Sequence, residues 1–141
     1  MTFNEKSRWI ALLANLGGWG WYFLTVARAF AAGAPDERGL LALTVPVVIW
    51  LTIVTIAAHI VVAVLNPKEA QTRLDERERG IAGAAARRAY SLLSVGIFAV
   101  ILGSAFYWST FFVVNALLFV FVLSESVRYA LELAAYRRMA A

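Results

Sequence analysis

Residues 111–131 read FFVVNALLFVFVLSESVRYAL, with Glu125 and Arg128 as the sole charged side chains. A helix rises 1.5 Å per residue, so a run of this length covers the ~30 Å hydrocarbon core of a bilayer. Three more runs have the same character: about Trp9 to Phe30, Leu40 to Leu65 and Tyr90 to Trp108. None alternates with period two, and an open sheet would leave backbone polar groups bare in lipid, so each run is read as a helix. The composition agrees. Of 141 residues, 62% are hydrophobic and 16% charged, against roughly 45–50% and 25% in soluble chains. A soluble domain this small could not bury that much apolar surface. These proportions exclude an ordinary soluble domain, a disordered chain and a nucleic-acid binder. The fold class expected is all-α, an integral membrane four-helix transmembrane bundle forming a single domain over residues 1–141.

The first run is long and Trp-rich for the core of a secretory signal, and no clean small-x-small cleavage site precedes the next charges. It is read as a retained first span. Residues 109–110 leave almost no connection between the third and fourth runs, which predicts a tight antiparallel hairpin with Ser109 or Thr110 as N-cap. Ala14 with Gly18 and Ala99 with Gly103 are spaced for close helix packing.

Basic residues set the orientation. If both termini face the cytoplasm, eleven Lys and Arg lie inside, whereas Arg28 and Arg38 lie outside. That is a strong positive-inside bias, and it predicts an N-in/C-in topology. Trp9, Tyr90, Tyr129 and Tyr136 then mark the inner interface, with Tyr107 and Trp108 at the outer one.

The one sizeable polar segment is residues 67–89, PKEAQTRLDERERGIAGAAARRA. Asn66 and Pro67 end the second helix, and Thr72 followed by Asp75 fits an N-cap pattern. A short cytoplasmic helix is expected from about Arg73, running into the third span with a bend near Gly80 or Gly83. Its cluster Asp75, Glu76, Arg77, Glu78 and Arg79 reads either as a solvated helix face or as a docking site for a cytosolic partner.

Ionisable residues inside spans are costly and mark candidate sites. His59 and Glu125 are the two candidates, at depths of roughly 9–12 Å below the inner boundary. Asn15 and Ser94 fall at a similar level, so each helix offers polar atoms in the cytoplasmic third. Thr52, Thr55 and His59 follow i, i+3, i+7 on the second helix; Glu125, Arg128 and Glu132 do so on the fourth. Asn15, His59, Ser94, Glu125 and Arg128 form the expected intramembrane polar site. It reads either as a structural network, with Arg128 pairing Glu125 or Glu132, or as a polar cavity for a ligand, lipid headgroup or proton. One His cannot supply bis-His haem ligation within a chain, and His plus a carboxylate is thin for zinc. The chain has no Cys, and no nucleophile elbow, P-loop or H-E-x-x-H motif occurs. No metal, cofactor or catalytic residue is expected. The outer halves of the spans are expected to be poor in polar groups.

FNEKSRW (residues 3–9), AHIVVAVLNPKEA (58–70), LDERERGI (74–81) and NALLFVFVLSESVRYALELAAYRR (115–138) together resemble a family of small, largely uncharacterised bacterial inner-membrane proteins. Its members look like four-helix proteins with both ends cytoplasmic, often encoded beside helix-turn-helix regulators. The matching positions are His59, Asp75, Glu76, Arg77, Glu78, Glu125 and Arg128; Ser124 departs from an expected Ala. The resemblance implies a bacterial inner-membrane location and carries no activity. The expectation is a non-enzymatic sensor or anchor whose loop holds a cytosolic protein, with a transcription regulator as one candidate. The alternative is a small transport or export-resistance protein using the His59–Glu125 site. Membrane lipid and a cytosolic protein are the partners expected; a homo-oligomer stays open, and direct contact with nucleic acid is not expected.

Overall fold

The computed structural model describes residues 3–33, 37–65, 76–106 and 109–140. They form four helices: α1 (Phe3–Ala31), α2 (Glu37–Leu65), α3 (Glu76–Ser104) and α4 (Thr110–Ala140). α1, α3 and α4 are each long and apolar enough to cross a membrane; in α2 the apolar stretch among described side chains is Thr44–Ala57. The chain is an all-α helical bundle and a membrane protein.

The helices are longer than their apolar runs. α1 starts at Phe3 and takes in Glu5, Lys6 and Arg8; α4 runs through Arg137 and Arg138. The expected short helix ahead of the third span is not a separate element. It is the first part of α3, a 29-residue helix that passes through Gly80 and Gly83 without interruption. The physical reason lies in GIAGAAARRA, where helix-favouring Ala and Arg outweigh two glycines and no Pro breaks the ladder. Glu76 and Glu78 in its first turn also favour the positive end of the helix dipole. The Thr72–Asp75 cap lies outside the described residues.

The ends follow local rules. Gly33, at φ 74°, closes α1 in the left-handed conformation, with bonds from Ala32 N to Arg28 O and from Gly33 N to Phe30 O. Ser109 caps α4 as expected, its Oγ accepting from Phe112 N at 3.4 Å.

α4 is the hub. It packs antiparallel against α1 on one side and α3 on the other, while α2 packs on α1 and touches α4 lightly. Two glycines permit the closest approaches. A Cβ at Gly18 would stand 1.9 Å from Leu51 Cδ2, and one at Gly96 would stand 2.4 Å from Val120 Cγ1. Trp19, Tyr22, Val26, Phe111 and Val122 form the buried cluster between α1 and α4. Elsewhere the pattern is that of a lipid-facing protein. Trp21, Trp50, Ile53 and Phe98 are exposed, whereas Ser124 and Glu132 are buried. Apolar side chains turned outward cost nothing in hydrocarbon, and polar ones turned inward find partners there.

This up-and-down arrangement brings the start of α1, the start of α3 and the end of α4 together. We call that the charged end, and the α3–α4 turn marks the hairpin end.

Candidate functional site

A cleft of about 440 Å³ opens between α1, α2 and α4. α1 contributes Ala11, Ala14, Asn15 and Trp19, and α4 contributes Phe121, Glu125 and Tyr129. α2 contributes Val48, Leu51, Thr52, Thr55 and Ile56. The spacings explain the lining: 11, 15 and 19 share one face of α1, while 48, 52 and 55 share one face of α2. The walls are largely apolar, and the polar groups gather toward the charged end.

Asn15 is fixed by α4. Its Nδ2 donates to Ser126 Oγ at 2.9 Å and to Val122 O at 3.2 Å. Ser126 Oγ in turn donates to Val122 O at 2.8 Å. Glu125 does not stand as a free carboxylate: Arg128 Nη2 donates to its Oε2 at 2.6 Å. The same nitrogen reaches Tyr129 OH at 3.0 Å, and the guanidinium lies 4.8 Å from the centre of the Tyr129 ring. Arg128 Nε is buried and has no acceptor among the described residues. Of the two partners open to Arg128, the structure therefore selects Glu125.

Glu132 takes a different cation. Its Oε2 meets Arg8 Nε of α1 at 2.5 Å, a charge contact not aligned as a hydrogen bond. Arg137 stacks over Trp9 at 5.4 Å beside it. Two cross-helix ties and one within α4 thus gather at the charged end.

The expected site is only partly assembled. Asn15 and Glu125 line the cleft, and Arg128 holds Glu125 from behind. Ser94 does not join them: it lies exposed on α3, which does not border the cleft. Depth alone had placed it, and depth says nothing about which way a side chain faces. The side chain of His59 lies outside the described residues, as does Asp75. Glu76, Arg77 and Arg79 are exposed on the first turns of α3, and Glu78 is half-buried.

A second polar group escaped the sequence reading. Tyr22 OH bonds Thr44 Oγ1 at 2.7 Å and donates to Asn115 Oδ1 at 3.1 Å, tying α1, α2 and α4 toward the hairpin end. Asn115 Nδ2 donates to Phe111 O at 2.9 Å. These three polar groups satisfy one another within an otherwise apolar stretch. An Asn within FFVVNALLFV was the available signal, since a lone amide in an apolar span needs a partner.

Comparison with protein-family models, with curated proteins and with solved structures finds no match. The functional reading rests on the geometry and on the residues quoted above.

Chemically, the cleft offers amide, hydroxyl and phenol groups around an apolar slot. Its carboxylate is already neutralised. Such a lining suits an amphiphile with a small polar head.

Proposed function

We propose that the protein is a non-enzymatic sensor or anchor of the bacterial inner membrane, with both termini and the charged start of α3 in the cytoplasm. In this reading Glu76, Glu78 and Arg79, with Asp75 before them and Arg77 at their border, hold a cytosolic protein; a helix-turn-helix regulator is the candidate that the family resemblance suggests. The supporting observation is the continuity of α3. One unbroken helix joins these charges to the membrane-crossing segment, so a movement of either is a movement of both. Occupancy of the α1/α2/α4 cleft biases α4, against which α3 packs. Such coupling needs a ligand that binds two arrangements unequally.

The test is a crosslinked pull-down from cells, comparing wild type with a variant carrying Asp75→Ala, Glu76→Ala and Glu78→Ala. One cytosolic protein recovered by wild type and lost from the variant is the expected result. The absence of any partner that depends on these residues overturns the docking reading.

The cleft itself favours a second reading, a small transport or export-resistance protein. Here the Glu125–Arg128 pair beside an apolar slot is the supporting feature. Growth or flux that depends on Glu125 but is indifferent to the α3 charges would select it.

A further inference from the structure

We infer that the groove between the first half of α3 and the last turns of α4 is a binding site for one anionic phospholipid, its phosphate held by Arg88 and its headgroup lying toward Arg77. The groove has a volume of about 420 Å³. Its floor is made of small and aliphatic residues, chiefly Gly80, Ala84, Ala135 and Leu131. Arg77, Ile81, Ala84 and Arg88 follow i, i+4, i+7, i+11 and so form one stripe along α3. Arg79 projects from the opposite face.

Three observations argue for a lipid as the occupant. First, neither arginine forms an ion pair with a described residue, although Arg8 and Arg128 at the same end both do. Two exposed guanidiniums over one groove present positive charge that no described carboxylate pairs. Second, the level is right. Arg88 stands about 24 Å along the helix from Ser104, and Arg77 about 40 Å. The boundary of a ~30 Å hydrocarbon core therefore falls between them. Arginine side chains lean toward the helix N-terminus, which carries the Arg88 head outward into the headgroup layer. Third, the floor between the two arginines is made of small and aliphatic side chains, which leaves room for a headgroup at that level. Basic pockets between helices at the membrane surface suit phosphate headgroups, and a guanidinium matches a phosphate with two parallel hydrogen bonds. The site shares only Arg77 with the docking reading, because Glu76, Glu78 and Arg79 lie off this stripe.

The experiment measures lipid retained by the full chain. The protein is reconstituted in nanodiscs of equal phosphatidylglycerol and phosphatidylcholine, re-extracted in detergent, and its bound lipid is counted by native mass spectrometry. Wild type is expected to keep phosphatidylglycerol over phosphatidylcholine by about five-fold or more, the weight of one arginine at an anionic surface. Arg88→Gln should lose most of that preference, and Arg77→Gln a smaller part of it. Gly80→Leu keeps every charge and adds its side chain where a Cβ meets nothing within 4 Å; it should fill the groove and lose the preference without a change in melting temperature. Arg79→Gln should behave as wild type. No preference in wild type overturns the proposal. So does Arg79→Gln falling as far as Arg88→Gln, which would mean diffuse charge attraction. Inorganic phosphate that binds the delipidated protein and displaces phosphatidylglycerol at equal concentration would also overturn it, in favour of a free-anion site.

Discussion

Arg8, in the second turn of α1, and Glu132, near the end of α4, form a cross-helix ion pair in which the carboxylate side chain is 2% exposed and the guanidinium side chain 28%. The asymmetry decides what each loss does. Arg8→Ala strands a buried carboxylate, and breaking a buried pair costs up to about 3–5 kcal/mol. Glu132→Leu leaves a cation that can extend to water or headgroups, so the loss is smaller. Thermal unfolding in detergent, followed by tryptophan fluorescence, should show Arg8→Ala as the more damaging change. Arg8→Met combined with Glu132→Leu should recover much of the difference. A larger loss from Glu132→Leu would contradict this account.

Gly96 faces a stiff neighbour, and Gly18 a soft one. Val120 is β-branched and cannot turn its methyls away within a helix, whereas Leu51 can change rotamer. Overpacking costs about 1–3 kcal/mol where nothing yields. Gly96→Ala should therefore lower the melting temperature clearly, and Gly18→Ala less. Gly20→Ala, into open space, should leave it unchanged or raise it.

Tyr22→Phe removes one hydroxyl that serves Thr44 and Asn115 at once. Interhelical hydrogen bonds in membranes contribute about 0.6–2 kcal/mol each. We expect a loss of about 1–2 kcal/mol with the bundle intact. Asn15→Ala, which drops the bonds to Ser126 and Val122, should cost a similar amount. Equal melting curves for Tyr22→Phe and wild type would show that the hydroxyl carries no weight.

The charged end gathers Lys6, Arg8, Arg77, Arg79, Arg87, Arg88, Arg137 and Arg138, while Arg28 is at the other. A C-terminal fluorescent-protein fusion should light up in the cytoplasm. Alkaline phosphatase fused there should be inactive, but active when inserted after Gly33. The reverse pattern would invert the proposed topology.

Much of the bundle was legible because hydropathy and helix rise fix where a chain can cross. Four runs became four helices, and the near absence of residues between Trp108 and Phe111 announced the hairpin. Flank length was not legible from hydropathy: Glu5 to Arg8 and Arg137 to Arg138 are polar but helix-favouring, so α1 and α4 outrun their apolar runs. Nor was the neighbour order. Ser94 and Glu125 share a depth, yet α3 turns Ser94 outward because its contact with α4 is set by Gly96 against Val120. Arg128 had two carboxylates within one helical turn, three residues before it and four after, and only the approach of α1, bringing Arg8 to Glu132, leaves Glu125 for it. Asn115 and Tyr22 lay in plain view, but their partnership needed three helices in place.

Because α4 is the element against which both α1 and α3 pack, assembly runs against the order of synthesis. As the chain leaves the ribosome, the first two helices can pair through Gly18 and Leu51. Asn15, Tyr22 and Arg8, however, wait in the lipid without their α4 acceptors until the last of the four helices has been inserted. A stop codon ahead of Thr110 would therefore not trim the molecule. It would leave α1 and α2 paired and α3 without the helix it packs against, a substrate for the membrane's quality-control proteases.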